Sequence, residues 1–452
     1  MLISICLKTM AILLGSVGLV MASGIQAHAD FSGSELRLRA LEEKVEALSL
    51  EKKKPGKPFD AHGVKKQIAK PPYFYKKGFH FESDDGLFST NLQWRAQMRF
   101  ANPSDGDPDS PSDFTDKATN NFELRRVRMK IGGHGYKPWL KYYFEMDLQP
   151  SRTVSKDTAR SSSRLIDWRI DVQPFREFGF RFGQWKVNYN RERVDSSGRQ
   201  QFVERSIVNS VFTIDRQVGA MVKGRLRSGT MTDMRYYVGV FNGEGRSVDN
   251  ESTNMMTMGR LQWNFLGKDL KWRQSDVKRH KSAAGSLAFG YAHNKGSCTR
   301  WSSSGCGSLG GFSTGDTNQF EVKQWVQEFA FKYQGLSIQQ EYHEKDVQDN
   351  NTGIEYNLEG MYAQAGYFFN ELIASVPEQL EVAFRYAYVD EPDQSDTTFE
   401  QERTEYTVAL NYFIAGHNNK ITLDYSHVTM DDGSDSLSYE DDRVRLQWDI
   451  SF

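Results

Sequence analysis

Apolar and polar residues alternate with a period of two over most of the chain, from residue 87 to the last residue. In the segment 92–100, Trp94 and Met98 share one face of an extended strand, whereas Arg95 and Arg99 share the other. The same alternation recurs in residues 141–147, 261–265, 382–386, 406–412 and 443–452. One apolar face and one charged face predict a water-filled β-barrel in lipid, because a soluble barrel carries its apolar residues inside.

Long polar connections alternate with short ones between these strands. The long connections lie near residues 101–121, 149–163, 187–215, 243–253, 295–321, 345–354, 390–402 and 430–440. Long loops on one side only predict about 16 strands, the even number expected of a bacterial barrel. We therefore predict an all-β fold: an antiparallel transmembrane β-barrel preceded by a short N-terminal coiled-coil helix. Phe79–Glu82 is left out of the strand count, and the turn 267–283 is an exception because it is long and basic.

Composition excludes two broad classes of protein. The 57 Lys and Arg residues nearly balance the 59 Asp and Glu residues, so a nucleic-acid partner is not expected. After residue 29, no segment supplies the roughly 18 consecutive apolar residues of a transmembrane helix. Aromatic residues make up 13% of a chain whose mean hydropathy is only −0.63. A membrane β-barrel needs this combination, because only alternate residues face lipid.

Residues 1–29 have the organisation of a secretory signal peptide. Lys8 precedes an apolar core at residues 10–20, and Ala27 and Ala29 occupy the positions of a cleavage site. We expect cleavage before Asp30 and export to the bacterial outer membrane. The alternative, a short membrane anchor, is disfavoured because the apolar core is too short to span a bilayer.

Cleavage would leave two cysteines in the exported chain, Cys298 and Cys306, in a segment rich in Gly and Ser. Paired cysteines in an exported protein predict a disulfide. We expect no metal site there, because the connection 295–321 that carries both cysteines contains no histidine.

The segment that follows the signal peptide differs from the barrel region. Within residues 30–53, Leu38, Leu41, Val45 and Leu48 are spaced by three and four, which predicts a coiled-coil helix that packs against copies of itself. The alternative is a single amphipathic helix lying on the barrel. Residues 54–78 are rich in Lys and Pro, so we expect a basic linker whose charge suits contact with cell wall or lipid phosphate. The barrel is then expected to occupy residues 79–452.

Basic residues dominate several of the predicted inward faces. The alternation places the following side chains in the lumen as pore-lining, anion-binding candidates: Arg95, Arg99, Arg126, Arg128, Lys130, Lys223 and Arg225. A wall of such charges in a barrel would raise the local concentration of anions. The alternative is a balanced lumen, because the following acids are also expected to point inward: Glu145, Asp147, Asp167, Asp171 and Glu381.

The connection 187–215 is the longest predicted loop and carries apolar residues that would be badly placed in water, such as Phe202 and Phe212. Folding back into the lumen would cover them. This fold would place a second group of anion-binding candidates at a constriction: Arg191, Arg193, Arg199, Arg205 and, at the loop's exit, Arg216. The alternative packs the loop at a subunit interface.

Several short motifs resemble one family of outer-membrane proteins. They are Gly183-Gln-Trp-Lys186, Phe202-Val-Glu-Arg-Ser206, Asp215-Arg-Gln-Val-Gly219 and Val240-Phe-Asn-Gly243, after the run Arg125-Arg-Val-Arg128. In this order they resemble the phosphate-selective porin O and P family. The resemblance implies a trimeric, 16-stranded porin with an arginine ladder and, in phosphate-specific members, lysines at the constriction. The ladder has counterparts here, whereas residues 187–215 contain no Lys.

The expected function is passive diffusion of small hydrophilic solutes, with anions such as phosphate preferred. The expected partners are outer-membrane lipid, the solutes, two further copies of the chain and, through the N-terminal segment, the cell wall; no cofactor and no catalytic residue are expected. One alternative is a structural protein that tethers the membrane to the cell wall. A lesser alternative is a hydrolase on a barrel, although no spacing of His and Ser marks a catalytic set.

Overall fold

The computed structural model describes residues 73–103, 108–115, 120–149, 164–250, 252–302, 305–313, 315–392, 400–433 and 437–452. The chain divides into the units Met1–Lys70 and Pro71–Phe452, and all described residues belong to the second. The predicted signal peptide, the predicted coiled coil and most of the predicted basic linker lie outside the described residues and stay predictions.

Sixteen long strands form a closed antiparallel barrel, as predicted. They are β3 (Ser89–Asn102), β4 (Asn121–Gly135), β5 (Lys137–Asp147), β6 (Arg164–Val172), β7 (Gly179–Lys186), β8 (Arg216–Leu226), β9 (Asp233–Phe241), β10 (Met256–Asn264), β11 (Ala284–Gly296), β14 (Phe320–Tyr333), β15 (Leu336–Asp349), β16 (Glu355–Tyr367), β17 (Leu380–Pro392), β18 (Glu400–His417), β19 (Asn419–Asp432) and β20 (Ser438–Ser451). Each strand pairs with the next, and β20 pairs with β3 from Val444↔Asn102 to Ser451↔Arg95.

A short hairpin lies beside this closure. Its strands are β1 (Tyr73–Tyr75) and β2 (Phe79–Glu82), and β2 pairs with β3 from Phe79↔Leu92 to Glu82↔Ser89. Phe79–Glu82, which was left out of the strand count, is thus a strand of this hairpin, and the barrel closes with sixteen strands without it. The described fold begins inside the predicted linker. Because β20 ends at the level of Arg95, the hairpin covers the part of the β3 edge that would otherwise have open hydrogen-bonding groups.

The remaining elements are short. The helices are α1 (Pro111–Thr115), α2 (Arg191–Val194) and α3 (Ile207–Phe212), with 3-10 turns at Ser197–Arg199 and Phe369–Glu371. A small hairpin, β12 (Arg300–Ser302) and β13 (Gly305–Gly307), lies in the loop between β11 and β14. None of the described helices is long and apolar enough to cross a bilayer.

The two faces of the wall have opposite character. Apolar side chains such as Trp94, Val408 and Leu446 point outward and keep about two-fifths of their surface exposed. Arg385 and Arg403 point inward and are almost completely buried. This distribution of apolar and charged side chains is the inverse of that in a soluble protein and matches a barrel surrounded by lipid.

The loop 187–215 folds into the lumen, and its apolar residues form a core inside the barrel. Ile207, Val208, Val211 and Phe212 pack against inward side chains such as Val326 and other residues of β8–β17. Strand β11 makes room for the loop by presenting small inward residues, namely Ser286, Ala288, Gly290, Ala292 and Asn294. A Cβ atom at Gly290 would lie 3.0 Å from the carbonyl oxygen of Tyr189 in this loop. The loop's apolar residues are thus covered within one chain, and a subunit interface is not needed to cover them.

Replacing Val408 by Arg should destabilise the barrel by about 2–4 kcal/mol, because this outward side chain lies midway along β18, at the depth where lipid is driest. The free energy of unfolding can be measured by urea titration in lipid vesicles, with Val408→Leu as the control. Equal stability of the two variants would show that the outer face is not in contact with lipid.

Candidate pore site

Carboxylates on the barrel wall hold the loop 187–215 by its backbone. The N–H of Val203 donates to Asp424 (2.8 Å), and the N–H of Ile207 donates to Glu405 (3.0 Å). The N–H of Glu192 donates in the same way to Glu341, at 2.6 Å. Buried backbone donors are costly without a partner, so these inward carboxylates fix the position of the loop.

Buried lysines hold carbonyl groups of the same loop, 187–215, which we call the plug because it fills part of the lumen. The Lys345 ammonium donates to the carbonyl oxygens of Val211 (2.8 Å) and Thr299 (2.7 Å). Val211 lies in the last turn of α3, where helix carbonyls have no partner within the helix. Lys420 donates to the carbonyl oxygen of Gln200 at 2.5 Å. These inward lysines are therefore occupied by the loop and are not free to bind a solute.

The turn between β10 and β11 enters the lumen from the opposite end and meets the loop. Arg191 donates to the carbonyl oxygen of Lys271 at 2.8 Å, and Gln274 donates to the side chain of Gln200 at 2.7 Å. Arg273 forms an ion pair with the buried Asp195. The loop and the turn together close the lumen on the side of β10–β18.

A cavity of about 700 Å³ remains between the loop and the strands β4–β9. It extends from Gln173 and Arg176, in the turn after β6, to Arg199 on the loop and Lys186 at the end of β7. Among the described residues that line it, two are acidic, Glu145 and Asp167, and twelve are basic. The basic residues are Arg128, Lys130, Arg169, Arg176, Arg181, Lys186, Arg199, Arg216, Lys223, Arg225, Arg235 and Arg273.

Carboxylates that lie between and behind these cations neutralise part of their charge. Arg128 is 3.0 Å from Glu145, Arg216 is 2.5 Å from Asp167, and Arg235 lies 2.6 Å from its partner in the β10–β11 turn. Within the described residues, eight carboxylates are within 4.0 Å of the lining cations: Glu145, Asp147, Asp167, Asp171, Asp195, Asp215, Asp233 and Asp269. Twelve cations against eight carboxylates leave a surplus of positive charge at the cavity surface.

Six of the predicted site residues line this cavity: Arg128, Lys130, Arg199, Arg216, Lys223 and Arg225. Three others point inward without lining the cavity, and two of these, Arg95 and Arg99, hold the loop. Arg95 donates to the hydroxyls of Ser196 and Ser197, each at 3.0 Å, and Arg99 donates to Glu204 at 2.7 Å. Arg126 donates to the side chain of the buried Gln97 at 3.0 Å. These three arginines shape the cavity without lining it.

The other predicted loop residues, Arg191, Arg193 and Arg205, were expected to bind anions at a constriction but do not line the cavity. Arg191 and Arg205 are buried in contacts with backbone carbonyls, and Arg193 lies 2.5 Å from Asp215. Burial favours the neutral form of Asp215, but Arg193 and Arg216 outweigh burial and hold its pKa well below the usual range. Arg205 donates to carbonyl oxygens of the loop itself and Arg191 to those of the β10–β11 turn, so these arginines hold the loop and do not line the cavity.

Six lining cations were not predicted: Arg169, Arg176, Arg181, Lys186, Arg235 and Arg273. The alternation contains a signal for some of them. Arg169 lies between Asp167 and Asp171, which were expected to point inward, and Arg181 alternates with the outward residues Phe180 and Phe182 in β7. Arg273 gives no such signal, because it belongs to an irregular turn.

The cysteines Cys298 and Cys306 form a disulfide, with their Cα atoms 5.5 Å apart. Glu244 lies beside them, with a carboxylate oxygen 3.5 Å from the sulfur of Cys298. Both sulfurs are used in the bond to each other, so this group of three side chains does not offer a set of metal ligands. The disulfide instead closes the loop that carries Trp301, whose buried ring packs on the plug.

Replacing Phe212 by Ala should loosen the plug, because Phe212 is fully buried and its ring stacks on His343 with centroids 5.2 Å apart. A Phe to Ala change in a core costs about 3–5 kcal/mol, so the packing of α3 against the wall should weaken. We expect higher single-channel conductance and more open-state noise in planar bilayers. Phe384→Ala, at an outward position on β17, is the control. Identical conductance of both variants and the wild type would show that α3 does not narrow the lumen.

Comparison with known proteins identifies the family of the chain. Residues 102–450 match the family described as phosphate-selective porin O and P. A protein of Aquifex aeolicus (strain VF5), itself uncharacterized, is 22% identical over 346 residues, which are 67% of this chain and 75% of the relative. The outer membrane channel DcaP of Acinetobacter baumannii has a similar fold, with a TM-score of 0.52, 14% identity and coverage of 82% of this chain and 99% of that chain. A loop L8 deletion mutant of OmpT, an outer membrane protein of Vibrio cholerae, also gives 0.52, with 11% identity and coverage of 81% and 100%. The two structures support the fold alone, whereas the family match spans most of the sequence, and the chain belongs to the phosphate-selective porin O and P family.

Proposed function

We propose that this outer-membrane porin prefers anions, which pass through the cavity between the loop 187–215 and the strands β4–β9. The observation that carries the proposal is the lining of this cavity, which holds twelve basic and two acidic side chains among the described residues. A low-dielectric wall focuses the field of such a surface into the lumen and raises the local concentration of anions. Cations are repelled by the same field, so the preference follows from charge and needs no enzyme chemistry.

The ion pairs around the cavity support this role because they hold the guanidinium groups in fixed positions. Arg181 contacts its carboxylate through two nitrogens, at 2.8 and 3.2 Å, and Arg235 does the same at 2.7 and 2.6 Å. A positioned guanidinium can exchange part of an anion's hydration for charge-assisted hydrogen bonds without first becoming ordered. A rigid basic wall is therefore better suited to anion passage than flexible surface lysines.

We propose phosphate among the solutes, on the evidence of two lysines. Lys130 and Lys223 line the cavity from β4 and β8, whereas the ammonium of Lys186, on β7, donates to the carbonyl oxygens of Arg193 (3.0 Å) and Asp195 (3.3 Å) in the loop. The loop 187–215 contains no lysine to match those that the family resemblance implies at the constriction. The two lysines of the barrel wall support the proposal because they line the same cavity as the arginines. We also propose the homotrimer that the family resemblance implies, with outer-membrane lipid as the partner of the remaining outer face.

Replacing Arg176 and Arg199 together by Gln should lower the anion preference. Both line the cavity, and neither has a carboxylate within 4.0 Å among the described residues, so their loss should disturb the fold little. The measurement is the zero-current potential in a planar bilayer under a KCl gradient. We expect an anion-selective potential for the wild type and a smaller one for the double variant.

The control carries the same change in net charge outside the cavity, with Arg227 and Lys323 replaced by Gln. Its potential should equal that of the wild type within error. A wild-type potential of the cation-selective sign would contradict the proposal, because the inward acids would then determine the selectivity. Equal shifts in the two double variants would mean that selectivity depends on net charge and not on this cavity.

A further inference from the structure

One carboxylate in the cavity wall is surrounded by three cations. Asp171, on β6, is 2.8 Å from Nε of Arg181 and 3.6 Å from Nε of Arg169, and it forms an ion pair with the ammonium of Lys223. The three cations belong to β6, β7 and β8, which are neighbours in the barrel. All three line the cavity, and their side chains retain between 13% and 22% of their surface exposed. Asp171 therefore occupies donors that also face the lumen.

Two of these cations have supports that do not depend on Asp171. The guanidinium of Arg169 lies 4.3 Å from the ring centre of Tyr143, and that of Arg181 lies 5.5 Å from the ring centre of Trp185. Arg181 also donates to the side chain of Asn188, at 3.5 Å. Cation–π contacts of this kind hold a guanidinium against a ring face. The guanidinium groups of Arg169 and Arg181 would thus stay in place if the carboxylate lost its charge.

The arrangement of donors around Asp171 is the arrangement that an oxyanion solute requires. Arg181 contacts both carboxylate oxygens, one from Nε and one from Nη2, and Lys223 shares the first of these oxygens. Phosphate and small carboxylates present pairs of oxygens with similar spacing, whereas chloride presents a single centre. A carboxylate attached to the wall also competes at a high effective concentration for these donors.

We propose that Asp171 is a tethered competitor, which weakens the binding of oxyanions at the site formed by Arg169, Arg181 and Lys223. This inference rests on the proposed anion preference. A solute that reaches the site takes over donors as Asp171 releases them, and Asp171 recovers them as the solute leaves. Conduction requires binding that is strong enough for entry and weak enough for exit. Asp171 keeps oxyanion binding weak enough for exit in a cavity that is otherwise strongly basic.

Replacing Asp171 by Asn should therefore make the site bind oxyanions more tightly and release them more slowly. We measure the affinity for phosphate from the decrease in chloride conductance of the purified protein in planar bilayers as phosphate is added. We expect Asp171→Asn to bind phosphate at least about tenfold more tightly than the wild type, which corresponds to about 1.4 kcal/mol. Phosphate flux into liposomes at saturating concentration should fall at the same time, because release becomes slow. Chloride presents one centre and not a pair of oxygens to the two nitrogens of Arg181, so its affinity should increase much less.

The matched control is Asp147→Asn, which removes the same charge from the same lumen. Asp147 contacts Arg128, and Arg128 keeps Glu145 at 3.0 Å when Asp147 is neutral. Its exposure, 14%, is close to the 13% of Asp171, so solvent access does not distinguish the two variants. Phosphate affinity of this control should stay within about twofold of the wild type. Equal tightening in both variants would overturn the proposal, because the effect would then come from net charge alone.

Asp171→Ser serves as a second variant in case the amide disturbs folding, which is checked by the heat-dependent shift on gels. Unchanged or weaker phosphate affinity in the folded Asp171 variants would overturn the competitor role. A wild type without anion selectivity would instead refute the proposed function itself, so the two failures are distinguishable.

Discussion

The contact between the loop 187–215 and the inner wall of the barrel determines how wide the lumen is and which wall charges face it. A 16-stranded barrel without this loop would have a wide lumen, in which wall charges on opposite sides are far apart and well solvated. The loop packs an apolar core against β8–β17 and leaves one narrow, basic cavity beside β4–β9. Wall carboxylates that accept backbone N–H groups and wall lysines that donate to backbone carbonyls hold it there. Inward charged side chains thus hold the loop on one side of the lumen and line the cavity on the other.

This division explains how a chain with nearly balanced charge can build a basic passage. On the plug side, inward acids such as Glu405 and Asp424 are consumed by the loop and by Arg385 and Arg445. On the open side, acids lie between the arginines and position them, while the arginines and lysines reach the cavity surface. The desolvation cost of buried ion pairs offsets much of their Coulomb gain. Their main effect here is therefore to fix the positions of the arginine side chains rather than to stabilise the fold.

The period-two alternation was sufficient to predict the barrel and the inward direction of residues such as Arg128 and Lys223, and the alternation of long and short connections predicted the number of strands. It could not predict which inward charges would face a solute, because that depends on where a distant loop docks. Lys345 and Lys420 alternate just as Lys223 does, yet both bind loop carbonyls. Irregular strands also limited the prediction of which side chains point inward. The register shift between Gln97 and Met98 leaves Arg125 without an opposite residue on β3, and the side chain of Arg125 donates to Glu204 in the loop. The small inward residues of β11 were a readable signal that something packs against that strand.

The proposed route for anions is the cavity beside β4–β9, and the plugged side should exclude them. Anomalous diffraction from crystals of the protein grown in bromide would test this route, because bromide can be located without reference to conductance. We predict bromide peaks along the wall that carries Arg169, Arg181 and Lys223, and no peaks among the plug contacts of Lys345 and Lys420. Peaks at these buried lysines, or an even distribution around the lumen, would contradict the account.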